Sequence, residues 1–435
     1  MIEMKKLIAH IQENKRLQGI AVVLYILVTF SSLYLAQKSV IAFLLLLSSL
    51  LLLHFTTFDN RVKWLLGGVV LVVLLPLAAS QGEAYQSYME VATLVGIYIA
   101  MALGLNVVVG LAGLLDLGFV AFFALGSYTY GIFATSQASN FMPFGQYPLS
   151  GESFWIFIII GCLVAALFGV LLGIPVLRVK GDYLAIVTLG FGEIIRIVFN
   201  NLDRPVNITN GAMGIASVQP PKLFGVEFVY PSQFYYIVLA ILVIVIFAVR
   251  RVEYSKIGRA WKAVRENDIA AQAMGIPLVR TKLLAFAFGA SFSGMMGVVF
   301  AAKQTFVDPT SFTLLESITI LVMVILGGMG SLPGVILGAA LVTILNLQVL
   351  TELTNWLNQL SLSGVITVPD ALSPAKMQRF IFGIILILFA LYRPQGLLPA
   401  KTPVFNEGEL RSGAGKHKLG AGLHKEGAQH VHLDS

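Results

Sequence analysis

Runs of apolar residues long enough to cross a bilayer recur along this chain of 435 residues, and they restrict its fold more than any other feature. A hydrocarbon core of about 30 Å takes about 20 residues of helix. Runs of that kind begin near Gly19, Val40, Trp64, Val91, Leu114, Phe154, Gln233, Leu283, Phe312, Gly334 and Arg379. Hydrophobic side chains make up 57% of the sequence and charged ones 12%, which is more apolar surface than a water-soluble fold can hide. In lipid the backbone N–H and C=O groups find no water, and a helix satisfies them within one segment. The expectation is an all-α, polytopic membrane protein with about 10–12 transmembrane segments.

Residues 183–200 are a weaker segment, because Glu193 and Arg196 lie within it and its glycines are able to break a helix. Positive charge collects at Arg61/Lys63, at Arg178/Lys180, in residues 250–282 and after Arg393, the marks of cytoplasmic loops. All four share the cytoplasmic side with the N-terminus only if residues 183–200 cross the membrane. The net charge of +7 therefore belongs to loops and tail, and no basic face studded with aromatics points to nucleic acid. Cys162 is the single cysteine, so no intrachain disulfide forms. No small-residue cleavage site ends the first apolar run, which reads as a retained span. His417, His424, His430 and His432 lie among Gly and Lys in a tail that reads as solvated and disordered.

Two glycine clusters echo each other. Val108-Val109-Gly110-Leu111-Ala112-Gly113 leads into Leu114-Leu115-Asp116-Leu117-Gly118, and Ile325-Leu326-Gly327-Gly328-Met329-Gly330 leads into Ser331-Leu332-Pro333-Gly334. Each stands where one apolar segment gives way to the next. Paired interruptions in two halves mark transport sites at a repeat interface, with broken or half helices. Close packing through small residues accounts for them equally well.

Residues 250–282 are strongly cationic, with Arg250, Arg251, Lys256, Arg259, Lys262, Arg265, Arg280 and Lys282. Ile257, Ala260, Trp261 and Val264 fall on one helical stripe, and Ser255 is placed to cap its start. A second short helix is expected from about Ile269 to Met274, capped by Asn267 or Asp268 and stopped by Gly275 and Pro277. Two readings fit an exposed Trp stripe with a basic face: docking on another protein, or lying on anionic lipid.

The wording of this loop, Gly258-Arg259-Ala260-Trp261-Lys262-Ala263-Val264-Arg265-Glu266-Asn267-Asp268-Ile269-Ala270-Ala271-Gln272-Ala273-Met274-Gly275, resembles the coupling loop of the branched-chain amino acid permeases of ATP-binding-cassette importers. Gly104-Leu105-Asn106-Val107-Val108-Val109-Gly110, Lys180-Gly181-Asp182-Tyr183, Phe312-Thr313-Leu314-Leu315-Glu316-Ser317 and Leu326-Gly327-Gly328-Met329-Gly330-Ser331 resemble the same family. The extra N-terminal spans and the wording of residues 176–183 are similar to its LivM type of subunit. The resemblance implies extra spans in residues 1–90, a permease core in 91–398 with its coupling loop at 250–282, and a cytoplasmic tail in 399–435. It implies a bacterial inner-membrane subunit working by alternating access beside a second, homologous permease, two cytoplasmic ATPases and a periplasmic amino-acid-binding protein. It places Gly258, Trp261, Arg265, Glu266, Ala270, Ala271 and Gly275 in ATPase coupling. ATP and Mg²⁺ would be bound by the ATPases, leaving this chain without a cofactor or metal of its own. The chain departs from the pattern at Asp116, where a small neutral residue is usual, and at Ile269, where many importer permeases carry Glu.

An ionisable group at membrane depth costs at least about 2.5 kcal/mol on insertion scales, which singles out Asp116, Glu193, Arg196 and Glu316, with Asn106 beside them, as candidates for the pathway. Glu193 and Arg196, three apart, share a helix face and are able to neutralise each other. Asp116 fits either a pathway group or a cap on a half-helix. No His-Glu-x-x-His, Gly-x-Ser-x-Gly or phosphate-loop motif is present, and the tail's Gly413-Ala414-Gly415-Lys416 is followed by His417 and lacks the first glycine. The chain therefore reads as a transport subunit and not an enzyme. Mostly apolar wall suits Leu, Ile or Val. A urea or short-amide importer is the nearest alternative, and a carrier coupled to ions through Glu193 and Asp116 a more distant one.

Overall fold

The structure is a computed structural model, and it describes residues 15–400 apart from 36–39, 57, 80–84, 143–144, 177–178, 180–181, 363–376, 378–379, 381–382, 385–386, 389–390 and 394. The chain is a bundle of helices. α1 (Lys15–Leu35), α2 (Val40–Phe55) and α3 (Asn60–Val69), which runs through a π turn (Val70–Leu74) into α4 (Leu75–Ala79), form the N-terminal group. The core holds α5 (Tyr85–Leu105), α6 (Val120–Phe133), α7 (Phe154–Val176), α8 (Asp182–Asn201) and α9 (Pro231–Glu253). Two short helices follow, α10 (Lys256–Glu266) and α11 (Asp268–Ala273), then α12 (Leu278–Gln304), α13 (Leu314–Gly327) and α14 (Leu332–Ile344). α14 continues through a second π turn (Leu345–Val349) into α15 (Leu350–Leu362). Among the described residues eight helices are long and apolar enough to cross a membrane, with two shorter apolar ones at Val62–Leu77 and Val120–Phe133. The run near Arg379 lies largely outside the described residues, and the tail in 401–435 wholly so.

α8 settles the ambiguity over residues 183–200. It is one continuous helix of 20 residues, and Gly190 and Gly192 do not break it. Gly192 is small for a neighbour: a Cβ there would stand 3.1 Å from the Cα of Gly118.

α12 is the axis of the core, packed against α5, α6 and α7. Lipid supplies no hydrophobic drive between helices, so association rests on close van der Waals contact, which small residues permit. α12 buries Gly289, Ala290, Ser293, Gly294, Gly297 and Ala301. A Cβ on Gly126 of α6 would lie 1.9 Å from the Gly294 carbonyl oxygen, and one on Gly297 would lie 2.2 Å from that of Phe123. On the other side a Cβ on Gly294 would meet the Cβ of Ala165 in α7 at 2.3 Å.

The two ends of α12 differ. At its Gln304 end lies a cap of irregular chain and two short β ladders: β1 (Ile215–Ala216) pairs antiparallel with β4 (Phe306–Val307), and β2 (Lys222–Leu223) with β3 (Val226–Glu227). Leu149 N donates to Phe133 O at 3.0 Å and Gln219 N to Ala134 O at 3.1 Å, fastening this cap to the end of α6. At its Leu278 end stand α10 and α11, the end of α9, and the segment after Arg393, whose Leu397 and Leu398 N–H groups donate to Leu326 O and Gly327 O at 2.9 and 3.1 Å. Two of the basic stretches, 250–282 and the segment after Arg393, thus gather at one end of the bundle, as a common side requires.

Replacing Gly126 by Val should force α6 away from α12 and destabilise the protein by about 1–3 kcal/mol, the usual range for overpacking. Thermal unfolding in detergent would check this, and Gly68→Val, with open space around it, should have little effect.

Candidate functional site: two helix breaks and a surface loop

Both glycine clusters break helices, and the breaks meet. α5 ends in a π turn, Asn106–Leu111, all of it buried. The chain then runs without helix from 112 to 119, passing through Gly113 at φ +72°. α13 ends at Gly327, and Gly328 and Gly330 take φ +118° and +82° before Ser331 caps α14 by accepting from Gly334 N at 3.2 Å. Positive φ strains any side chain, which explains the glycines at 113, 328 and 330. The Asn106 side chain joins the two breaks: its Oδ1 accepts from Gly330 N at 2.8 Å. Gly110 is glycine for a different reason, since a Cβ would stand 2.0 Å from that same Oδ1.

The breaks produce half-length helices. Gly126 faces Gly294, which is 16 residues beyond Leu278 (294 − 278), about 24 Å along α12. α6 begins six residues earlier, about 15 Å from the loop end and so well inside the bilayer. Its first N–H, on Val120, donates to Ser317 Oγ of α13 at 3.1 Å. Beside that contact Tyr98 of α5 donates to Glu316 Oε1 at 2.5 Å. Asp116 is fully buried and does not cap α6: its Oδ1 accepts from Gly118 N at 2.9 Å, forming the turn that leads into the helix, while Oδ2 meets no partner among the described residues. The neighbouring Leu117 N donates to Thr188 Oγ1 of α8 at 3.0 Å. The starts of α6 and α13 thus meet at depth, lined by Asp116, Glu316, Tyr98, Thr188 and Ser317.

Glu193 and Arg196 form the expected pair on α8, with Nη2 2.8 Å from Oε2, and each side chain is about a third exposed.

The surface loop folds as two capped helices. Ser255 Oγ accepts from Ile257 N and Gly258 N at 3.1 and 3.3 Å, and Asn267 Oδ1 from Ile269 N and Ala270 N at 2.9 and 3.0 Å. Gly275 at φ +83° ends the second helix. The Trp stripe differs from expectation: its Trp261 and Val264 face inward, while Ile257 at its start stays exposed. Trp261 is 1% exposed and its indole N–H donates to Thr281 O at 2.8 Å, with Val264 and Gly258 buried beside it. A helical period shows that a stripe must be covered, and α12 of the same chain covers it. What the loop offers outward is α11 and its C-cap: Ile269 is 73% and the capping Met274 83% exposed, with Ala270 and Ala273 open between them and Ala271 buried behind. Lys282 holds α11 to α12 through Asp268 at 2.7 Å, and Lys262 holds α10 to α9 through Glu253 at 2.9 Å. Glu266 and Arg265 are both exposed, and the Arg265 guanidinium also donates to the carbonyl oxygen of Gly110.

Residues 87–390 match the family model described as branched-chain amino acid transport system / permease component. The chain belongs to this family. It is 39% identical over 372 residues to the high-affinity branched-chain amino acid transport system permease protein LivM of Escherichia coli K12, covering 80% of this chain and 76% of that one. The probable branched-chain amino acid transport permease protein LivM of Methanocaldococcus jannaschii is 28% identical over 305 residues, 68% of this chain and 84% of that one. The LivH permease protein of the Escherichia coli high-affinity system is 25% identical over 275 residues, 58% of this chain and 81% of its own length. No solved structure matches the chain.

In this permease the breaks bring together Asn106, Gly110 and Gly330 at the loop end and Asp116 and Glu316 at depth, with Glu193 and Arg196 on a separate face. Tyr98, Thr188 and Ser317 escaped the sequence reading, because hydroxyl side chains in apolar helices ordinarily bond their own backbone and give no signal. The ion pair makes a double-mutant cycle decisive. Glu193→Gln should reduce folded protein and uptake more than Glu193→Gln combined with Arg196→Gln, since the single change leaves a cation without its partner at membrane depth. Additive losses would show that the pair contributes nothing.

Proposed function

We propose that this permease is one of the two membrane subunits of an ATP-binding-cassette importer that moves branched-chain and other hydrophobic amino acids across the bacterial inner membrane. The loop from 250 to 282, with both termini, faces the cytoplasm, and ATP hydrolysis belongs to two separate ATPases that bind ATP and Mg²⁺. A periplasmic binding protein delivers the amino acid to the capped end. The observation that carries the reading is the outward face of α11, a helix of six residues where Ile269, Ala270 and Ala273 stand exposed, with Met274 just beyond its end, pinned from behind by Asp268–Lys282. Small alanines between two bulky apolar side chains let such a helix seat in a cleft of a partner, the helix-in-groove mode of recognition.

Asp116, Glu316 and the half-helix starts at Val120 and Leu314 form the candidate pathway on this reading. Helix N-termini carry partial positive charge suited to a substrate carboxylate. The rest of that region is Phe, Val, Leu and Ile, which receives an apolar side chain without the unmatched hydroxyls a sugar would bring. An ion-coupled carrier is disfavoured because Glu193 is tied to Arg196.

Two measurements test the assignment. Ala270→Trp should abolish co-purification of the ATPases and lower uptake at least tenfold while the protein still inserts, and normal uptake would refute docking through α11. Reconstituted complex should show ATP-dependent uptake of labelled leucine. Uptake of labelled urea without leucine would reassign the substrate and leave the importer standing.

A further inference from the structure

We infer that Arg265 is the positioning residue through which movement of the docking loop enters the membrane part of the permease; the inference rests on the proposed docking of α11. Arg265 lies in the last turn of α10 and is itself exposed, on the same loop as the exposed Lys256, Arg259 and Arg280. Its guanidinium donates to the carbonyl oxygen of Gly110. Its methylene chain lies over Gly113, where a Cβ would come within 2.9 Å of Arg265 Cγ.

The target of this contact is a backbone poised to change. In the π turn each N–H reaches back five residues instead of four, as Ala112 N does to Val107 O at 3.1 Å, and Leu114 N reaches back six to Val108 O at 3.0 Å. The last carbonyls of such an end have no helical partner, and a cation completes one of them at the negative end of the helix. Four residues before Gly110 (110 − 106), at the start of the same turn, Asn106 accepts from Gly330 N, so the π turn is held from the loop on one side and tied to the second break on the other. Back along the chain from Gly330 lies α13, whose far end carries Ser317 on Val120 N and Glu316 on Tyr98. A shift of α10 that pulls on Gly110 therefore acts on both breaks together, and through α13 on the start of α6. The rigid contacts of α12 with α6 and α7 do not lie on this route.

The alternative is a plain structural cap, and the ratio of uptake to ATP hydrolysis separates the two. In proteoliposomes holding the full permease with its partner permease and ATPases, Arg265→Ala should leave ATPase co-purification unchanged, because the outward face of α11 is untouched. ATP hydrolysis should stay within about twofold, and leucine moved per ATP should fall at least tenfold. Arg265→Lys, which keeps the charge but not the planar fork, should fall between. An unchanged ratio in both variants overturns the inference, as does a loss of co-purification, which would make Arg265 a docking residue. If Arg265→Ala does not fold, the lysine variant decides alone, an unchanged ratio again overturning the inference. Failure of the unaltered chain to bind any ATPase would instead refute the docking itself.

Discussion

Interrupting a helix inside a membrane frees backbone N–H and C=O groups where no water can take them, and each costs several kcal/mol if left alone. Most of this permease's architecture follows from how those groups are satisfied. At the loop end Asn106 takes the N–H of Gly330 and Arg265 the carbonyl of Gly110. At depth Ser317 takes the N–H of Val120, Thr188 that of Leu117, and Asp116 that of Gly118. All of these bonds except the local Asp116–Gly118 turn join elements distant in sequence, so the two breaks are stable only together. Half-length helices then follow as a consequence, with their starts held inside the bilayer.

This arrangement divides the bundle into parts of different stiffness. α6, α7 and α12 touch through glycine and alanine at distances that exclude a methyl group, and such an interface has no slack for sliding. α5 is tied to α13 and α14 at their breaks through the Asn106–Gly330 bond and glycines at positive φ, while α13 and α14 themselves pack closely through Gly327, Gly334 and Gly338. A transporter working by alternating access needs both kinds of contact, a frame that keeps its shape and a gate with two arrangements close in energy. The breaks lie at the boundary between them.

Much of this was legible in the sequence. Run length and the scarcity of charge give the helices, the clustering of Lys and Arg gives their common end, and Ser255, Asn267 and Gly275 give the loop its two short helices. What pattern reading lacks is the identity of the covering surface. Ile257, Ala260, Trp261 and Val264 announce a stripe, but nothing in the stripe distinguishes α12 from a partner or from lipid. Asn106 stood out as a lone amide among valines, whereas its partner is a backbone N–H 224 residues away, which carries no side-chain signature at all. Glu193 and Arg196 were readable as a pair because both members lie on one helix.

That pair also bears on how two permeases would meet. A Glu and an Arg each about a third exposed, eleven and fourteen residues beyond Asp182 (193 − 182 and 196 − 182), sit about 16–21 Å along α8, Glu193 near its middle and Arg196 about 8 Å from its Asn201 end. Their mutual contact lowers the cost of burial in lipid without removing it, because the outward oxygens and N–H groups still lack partners. The face of α8 that carries them is also otherwise apolar, with Ile186, Ile194 and Ile197 exposed. A surface of this composition suits neither bulk lipid nor water alone; it suits the edge of a polar pathway flanked by a second protein.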